Sequence, residues 1–307
     1  MPHPYKATIA ICTYNRARLL QLCIESLSKL SFNMAEFEVL LVDNNSTDNT
    51  VEVAGTINTL YPQLNFRYVL ETKQGVANTR TRCALEAKGE IVAYIDDDCI
   101  ANENWLENIV EFYNSHPEAM STGGKIVPKY VVPVADWFGK YFWGLVGNYD
   151  LGKEVFQMRG VRYPSGANMH FRKAAFDKYG YFDSNLGRSG KSLMAGEEKA
   201  MYLKLINNNE KVYYLPHVVV HHHVEGNKFD KAYVRRHSYG IGGSERLMNA
   251  GNNWKLVKKL VEYVAKLGYA IAYGFSYLFK GETSKMVMLV KFRWWVIEGF
   301  LYPSKAS

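Results

Sequence analysis

Apolar runs alternate with polar turns and helix-like segments through the first hundred residues. Residues 7–12 form an apolar run rich in β-branched side chains, and further runs follow at 37–42, 65–70 and 90–95. Short apolar runs bounded by turn signals predict strands. Because helix-like segments separate these runs, the pattern predicts a mostly parallel α/β sheet with helices on both faces.

The pattern changes after residue 120. Residues 121–190 are rich in glycine, proline and aromatic side chains, which predicts a meander of strands and loops, and residues 254–302 form apolar and aromatic helices with interspersed lysine. We therefore predict the following organisation: a catalytic domain over 1–240, with a nucleotide-binding half at 1–100 and an acceptor half at 101–240, and an amphipathic helical region over 241–307.

Composition narrows the function only partly. The chain has 307 residues, 48% of them hydrophobic, and a formal charge of +7. That charge suits nucleotide phosphates, an acidic membrane surface or nucleic acid. The four cysteines have no metal-finger spacing, and the N-terminus lacks a signal-peptide pattern. These features predict a cytoplasmic protein.

Acidic side chains follow two of the predicted strands. Asp96, Asp97 and Asp98 end the fourth apolar run, and Asp43 ends the second. Ligands bind at the carboxyl ends of strands in such sheets, and clustered carboxylates attract a divalent cation. Continued strand alternation would place Asp96 and Asp98 on one side, where one could contact the donor ribose or sugar and the other a metal. A solvated acidic turn, or an Asx turn at Asp43, is the alternative.

Two later motifs carry further candidates. Glu197 and Glu198 open a helix-like segment after a glycine-rich loop at 184–196, which we predict to act as a lid. A carboxylate there could serve as a general base, although acidic residues are favoured in any first helical turn. His222, within a histidine triplet, could bind a metal or could simply pack.

Taken together, these motifs resemble the family 2 glycosyltransferases of the GT-A fold, a Rossmann-like fold with a mostly parallel central sheet flanked by helices, here with a C-terminal helical extension. The resemblance covers residues 7 to about 240 in order and spacing. It rests on these segments: 9–16 (IAICTYNR), 38–48 (EVLLVDNNSTD), 75–80 (GVANTR), 96–98 (DDD), 164–169 (PSGANM), 196–198 (GEE) and His222.

The resemblance implies roles for individual residues. The implied base is Glu198, with Glu197 as the alternative, because the family usually has Asp at this position. A second departure is Thr81, which stands where the family usually has Asn. The remaining implied roles are donor binding by Thr13, Tyr14, Asn15, Arg16, Asp43, Asn45, Gly75, Arg80, Asp96 and Asp97, acceptor binding by Gly166, Ala167 and Asn168, and metal binding by Asp98 and His222.

The implied reaction is inverting transfer of a hexose from a nucleotide-diphosphate sugar, UDP-linked above all, to an acceptor hydroxyl, in polysaccharide or glycolipid assembly. The implied cofactor is Mn²⁺ or Mg²⁺, and the acceptor is a saccharide or a lipid-linked saccharide. Two alternatives are a basic membrane- or nucleic-acid-binding protein without catalysis and a nucleotidyltransferase. The latter would need a glycine-rich loop that residues 12–18 lack. If the chain is a glycosyltransferase, we expect no nucleic acid partner.

Residues 254–302 combine lysine and arginine with aromatic side chains but are interrupted by charge too often to span a bilayer. This composition is typical of helices that lie in a membrane interface. We therefore predict peripheral contact with the inner face of the cytoplasmic membrane. Packing against the catalytic domain or in a homodimer is the alternative.

Overall fold

A computed structural model describes residues 3–190 and 193–305 of the chain. Two compact units divide these residues. Unit 1 consists of Met1–Lys129, Gly147–Asp183 and Glu198–His223, and unit 2 consists of Tyr130–Val146, Ser184–Glu197 and Val224–Ser307. The predicted boundary at residue 240 stays a prediction. Each unit is described separately below.

The elements follow one another along the chain in this order: β1 (Tyr5–Thr13), α1 (Ala17–Leu27), β2 (Phe37–Asp43), α2 (Thr50–Leu60), β3 (Phe66–Leu70), α3 (Val76–Glu86), β4 (Gly89–Asp96), β5 (Cys99–Ala101), α4 (Trp105–Ser115), β6 (Ala119–Tyr130), β7 (Phe156–Gln157), β8 (Asn168–Arg172), α5 (Ala174–Tyr179), α6 (Glu197–Asn207), β9 (Lys211–Val224), α7 (Lys231–Met248), α8 (Asn253–Leu278) and α9 (Thr283–Leu301). Short 3₁₀ turns lie at Met34–Glu36, Lys140–Val146, Gly226–Phe229 and Pro303–Lys305.

The sheet has the strand order β3-β2-β1-β4-β8-β6-β9-β5, with β7 beside β9. The first four strands along the chain pair in parallel, as the alternating sequence pattern predicted. β8 then adds antiparallel to β4, and β5 and β7 pair antiparallel with β9. The carboxyl ends of β1, β2 and β4 therefore lie side by side, where the polar clusters were expected.

Apolar side chains from both faces of the central strands form two cores in unit 1. Alternation in β1 sends Ile9 and Ile11 to one core and Ala10 to the other, and all three are fully buried. One core includes Trp105 from α4, and the other includes Tyr202 from α6. Helices thus cover both faces, which holds the strand ends in fixed positions.

One local prediction was wrong. Strand β4 ends at Asp96, so strand alternation does not reach Asp98, which lies in the turn before β5. The histidine triplet at 221–223 lies within β9, which runs unbroken through Pro216 and pairs with β5.

In unit 2, α9 packs against both α7 and α8. The α7–α9 contact depends on glycines: a Cβ on Gly242 would lie 2.1 Å from the Val296 carbonyl oxygen, and one on Gly299 would lie 2.4 Å from that of Tyr239. The predicted C-terminal helices are present. Within residues 3–190 and 193–305, none of the helices combines the length and the hydropathy needed to cross a bilayer.

Candidate functional site

The acidic turn after β4 is held by side chains from the end of β1. Thr13 Oγ1 donates a hydrogen bond to Asp97 Oδ2 at 2.7 Å. Arg16 Nη1 lies 3.0 Å from Asp97 Oδ1 and 2.5 Å from Asp98 Oδ2. Burial raises the pKa of Asp97, and the positive charge of Arg16 opposes this rise. Arg16 therefore stabilises two adjacent buried carboxylates that would otherwise repel each other.

His222 is brought to the same turn by strand pairing. Cys99, the residue after Asp98, pairs with His222 across β5 and β9, and the His223 amide donates to the Asp98 carbonyl oxygen at 2.8 Å. His222 Nε2 then lies 3.3 Å from Asp98 Oδ2, and both side chains are buried. Gly147 permits this position of the ring, because a Cβ there would lie 3.0 Å from His222 Nδ1.

Arg80 contacts three further residues that the sequence analysis singled out in unit 1. Its Nη2 lies 3.6 Å from Asp96 Oδ1, and its Nη1 lies 3.5 Å from Glu198 Oε2. Gly166 packs against the same guanidinium, since a Cβ there would lie 2.4 Å from Arg80 Nη2. Tyr94 donates to the Arg80 carbonyl oxygen at 2.8 Å. The acidic turn, the candidate base and the candidate acceptor loop thus meet at one buried arginine.

Asp43 ends β2 and is fully buried. Its Oδ1 accepts hydrogen bonds from the amide and hydroxyl of Ser46, three residues further on, and its Oδ2 accepts from Tyr68 at 2.9 Å. Burial and this hydrogen bond raise the pKa of Tyr68 to about 12. A carboxylate has about four lone-pair positions, and these three hydrogen bonds use three of them.

Two asparagines shape the loops that follow β1 and β2. Asn15 and Asn45 both adopt left-handed backbone conformations, with φ of 54° and 60°. Asn15 Oδ1 accepts from the amide of Thr47 at 2.7 Å, which ties the first loop to the second. Asn45 is exposed, and the neighbouring Tyr14 is 42% exposed. An exposed aromatic ring beside a polar loop can stack on a base.

Comparison with known proteins shows the family of this chain. Residues 8–180 match the family model described as glycosyl transferase family 2. The chain belongs to this family. It is therefore an enzyme, a glycosyltransferase that uses nucleotide sugars, and the two alternatives from the sequence do not hold.

Two curated relatives of the glycosyltransferase come from Haloferax volcanii. A glucosyl-dolichyl phosphate glucuronosyltransferase is 28% identical over 249 residues, which are 80% of this chain and 77% of the relative. The glycosyltransferase AglE is 32% identical over 100 residues, a third of each chain.

Solved structures of similar shape show that the glycosyltransferase has the GT-A fold, a mixed α/β fold, with a C-terminal helical region. Mannosyltransferase PcManGT from Pyrobaculum calidifontis, in complex with GDP-Man and Mn²⁺, has a TM-score of 0.64 and 17% identity, over 97% of this chain and 87% of that one. Residues 1–349 of TarS from S. aureus, in complex with UDP, have a TM-score of 0.56 and 17% identity, over 96% and 89%.

Asn168, the predicted acceptor residue, lies in the core of unit 1 with no exposed surface. Its Oδ1 contacts Trp105 Nε1 at 2.9 Å and His170 Nε2 at 3.0 Å, and its Nδ2 donates to the carbonyl oxygens of Lys125 and Val218, each at 2.9 Å. These contacts use the full hydrogen-bonding capacity of an amide. Acceptor binding by Asn168, and by its buried neighbour Ala167, stays a prediction.

The two candidate bases begin α6 but differ in accessibility. Glu197 is only 3% exposed, whereas the Glu198 side chain is 22% exposed. A base must reach a substrate hydroxyl, so accessibility favours Glu198. The preceding loop contains Gly187, Gly190 and Gly196 with positive φ. Residues 191 and 192 of the predicted lid lie outside the described residues, and its mobility stays a prediction.

Asn44 organises the Gly75 loop, although sequence reasoning gave it no role. Its Nδ2 donates to the carbonyl oxygens of Glu71 and Lys73, and its Oδ1 accepts from the Gly75 amide at 2.7 Å. Gly75 has φ of 127°, which a side chain would strain. The only sequence signal was the position of Asn44 directly after a strand-ending carboxylate.

Proposed function

We propose that the glycosyltransferase moves a sugar from a UDP-sugar to the hydroxyl group of a saccharide or lipid-linked saccharide, with inversion and with the help of Mn²⁺ or Mg²⁺. The contact of Arg80 with both Asp96 and Glu198 carries this proposal. It brings the carboxylate of Asp96, at the end of β4, and the partly exposed carboxylate of Glu198, in α6, to one cation. Donor and base chemistry need this proximity.

Glu198 acts as the general base in this proposal. It takes the proton from the acceptor hydroxyl, whose oxygen attacks the anomeric carbon. The bond from that carbon to the diphosphate oxygen breaks, and its electron pair leaves with the nucleotide. One displacement inverts the anomeric centre. Arg80 holds the Glu198 carboxylate and favours its ionised form, as an adjacent cation does.

Asp98 and His222 fit a divalent cation. Within residues 3–190 and 193–305, no group of three or more His, Cys, Asp or Glu side chains surrounds a common position. The pair nevertheless offers a carboxylate oxygen and an imidazole nitrogen 3.3 Å apart, and cations of this kind often take one or two protein ligands with substrate phosphates. A bound cation would supply Lewis acidity toward the diphosphate. Similar structures hold Mn²⁺.

Two of the similar solved structures differ in the base of the bound nucleotide, since TarS holds UDP and PcManGT holds GDP-Man. We place UDP first and expect Asp43, Asn45 and the exposed Tyr14 ring to receive the nucleotide. The lipid-linked acceptor is supported by the name of the glucuronosyltransferase relative, which acts on a glucosyl-dolichyl phosphate.

Peripheral membrane contact is proposed for α8. Exposed apolar side chains recur along it at intervals of three or four residues, with one interval of seven, and lie away from the buried side of the helix. Lys258 is exposed at the edge of this stripe, and Lys255 and Lys266 are exposed elsewhere on the helix. Such a helix suits an anionic membrane surface, where each lysine adds about 1 kcal/mol. The stripe consists of Trp254, Val257, Val261, Val264, Ile271, Phe275 and Leu278.

A donor screen tests the proposal by measuring nucleotide release from UDP- and GDP-sugars, with and without metal. Asp98→Ala should retain less than about a tenth of wild-type turnover, or about 1.4 kcal/mol in barrier. Glu198→Gln should lose roughly 100-fold in rate with unchanged donor affinity. Glu52→Gln, in the exposed first turn of α2, is the matched control. An inactive Glu197→Gln with an active Glu198→Gln would place the base one residue earlier.

A further inference from the structure

Lys228 is a buried cation in unit 2. It lies in the 3₁₀ turn before α7 and is only 7% exposed. Its Nζ contacts the Tyr233 hydroxyl at 3.2 Å and lies 5.2 Å from the centre of that ring. None of the described carboxylates forms an ion pair with it, and the nearby Asp230 carboxylate caps the Ala232 amide at 2.8 Å. A buried charge without a counterion is costly, which calls for an explanation.

His237 lies one helical turn beyond Tyr233, and the two rings stack at 6.1 Å with an angle of 5°. Its Nδ1 is buried and has no hydrogen-bond partner among the described residues. Burial, together with the positive charges of Arg188 and Lys228, lowers the pKa of His237 to about 3. Lys228 lies over the Tyr233 ring on which His237 stacks. Arg188, on the glycine-rich loop of unit 2, is exposed.

We propose that Lys228, His237 and Arg188 form a binding site for a phosphate group. The site offers ammonium, imidazole and guanidinium donors whose remaining N–H groups have no acceptor among the described residues. Water could accept these hydrogen bonds but would leave the positive charge uncompensated. A phosphate oxyanion supplies both the acceptors and the charge.

Two sources share this chemistry: the phosphate of a phosphorylated lipid acceptor and the diphosphate of the nucleotide. The inference holds whether or not the proposed transfer reaction is correct, because binding can be measured without donor and without metal. The test uses thermal unfolding and calorimetric titration with inorganic pyrophosphate, in chelator, on the full chain. The variants are Lys228→Met and Arg188→Gln, with Lys231→Met as the control, since Lys231 is exposed and lies on the same segment.

Pyrophosphate should stabilise the wild-type chain and Lys231→Met, and Lys228→Met should weaken binding about tenfold or more. Without the anion, Lys228→Met should unfold at the wild-type temperature or above it, because it removes a buried charge. A purely structural lysine gives the opposite pair of results: a lower unfolding temperature and unchanged pyrophosphate binding. That pair would overturn the proposal. Arg188→Gln repeats the binding test at an exposed position, where misfolding is not expected.

The source is identified by repeating the titrations with a short-chain prenyl monophosphate and with UDP. Loss of prenyl phosphate binding in Lys228→Met, with UDP binding retained, assigns the site to a phosphorylated acceptor. Loss of UDP binding instead assigns it to the nucleotide. If the variants bind both compounds and pyrophosphate as the wild type does, the site is refuted.

Discussion

Replacing Asn168 with alanine separates two roles for this residue. The sequence resemblance placed Asn168 at the acceptor, whereas in the structure its amide joins β8 to α4, β6 and β9 from a fully buried position. If the amide is structural, Asn168→Ala should cost stability. If it binds the acceptor, the variant should instead raise the acceptor KM.

The expected cost follows from the contacts. The amide makes four hydrogen bonds of 2.9–3.0 Å. At about 1 kcal/mol each they contribute about 4 kcal/mol, a figure that includes the cost of leaving the Trp105 indole N–H buried without an acceptor. A loss on the order of 4 kcal/mol is a large part of a typical stability of about 5–15 kcal/mol. It should lower the unfolding temperature by roughly 10 °C.

Thermal unfolding and acceptor kinetics should both be measured. The matched control is Asn108→Ala, because Asn108 makes one exposed hydrogen bond, to the His217 carbonyl oxygen. That control should change stability by less than about 0.5 kcal/mol. A wild-type unfolding temperature for Asn168→Ala together with a raised acceptor KM would refute the structural assignment.

Three further predictions concern the loop, the helix surface and pH. Hydrogen exchange across residues 184–196 should slow when donor and metal bind, and uniform exchange in both states would count against a lid. Phe275→Glu on α8 should reduce co-sedimentation with anionic liposomes, whereas Val51→Glu, at a similarly exposed site in unit 1, should not; equal sedimentation would remove the membrane proposal. Burial lowers the pKa of His170 to about 3, so the unfolded state binds the extra proton, and stability should fall as pH drops from about 6.5 toward 3. Below about pH 6.5, each such histidine lowers the free energy of unfolding by about 1.4 kcal/mol per pH unit. The free energy of unfolding of His170→Phe, measured by denaturant titration at several pH values, should therefore fall less steeply with decreasing pH than that of the wild type. An unchanged dependence on pH would contradict the buried neutral ring.

The parallel strands could be predicted because their signal is local. Each apolar run and the turn after it lie within about ten residues, and the runs at 7–12 and 37–42 fall inside β1 and β2. The antiparallel strands β8 and β9 were less clear, because their position depends on partners far away in the chain. Asn168 shows the same limit: its motif was visible, but the partners that bury its amide come from three other elements.

The site was predicted as a set of residues but not as a network. Arg16 and Arg80 were both expected to bind the donor, yet no local pattern indicates that Arg16 bridges Asp97 and Asp98. Asn44 and Tyr68 were missed for a related reason. Their hydrogen bonds join loops distant in sequence, and an asparagine or tyrosine beside a turn has many other roles.

The charges near the site bear on the metal proposal. With all of them ionised, the carboxylates of residues 96–98 and Glu198 carry four formal negative charges, and Arg16 and Arg80 carry two positive ones. Four minus two leaves two negative charges before a donor enters, and a nucleotide diphosphate adds more. Because like charges within a few ångströms repel strongly where water is excluded, donor binding needs further positive charge. One divalent cation at Asp98 and His222 would neutralise the two net negative charges of these side chains. A monovalent cation would leave one of them, and the negatively charged diphosphate would then be repelled by the acidic turn.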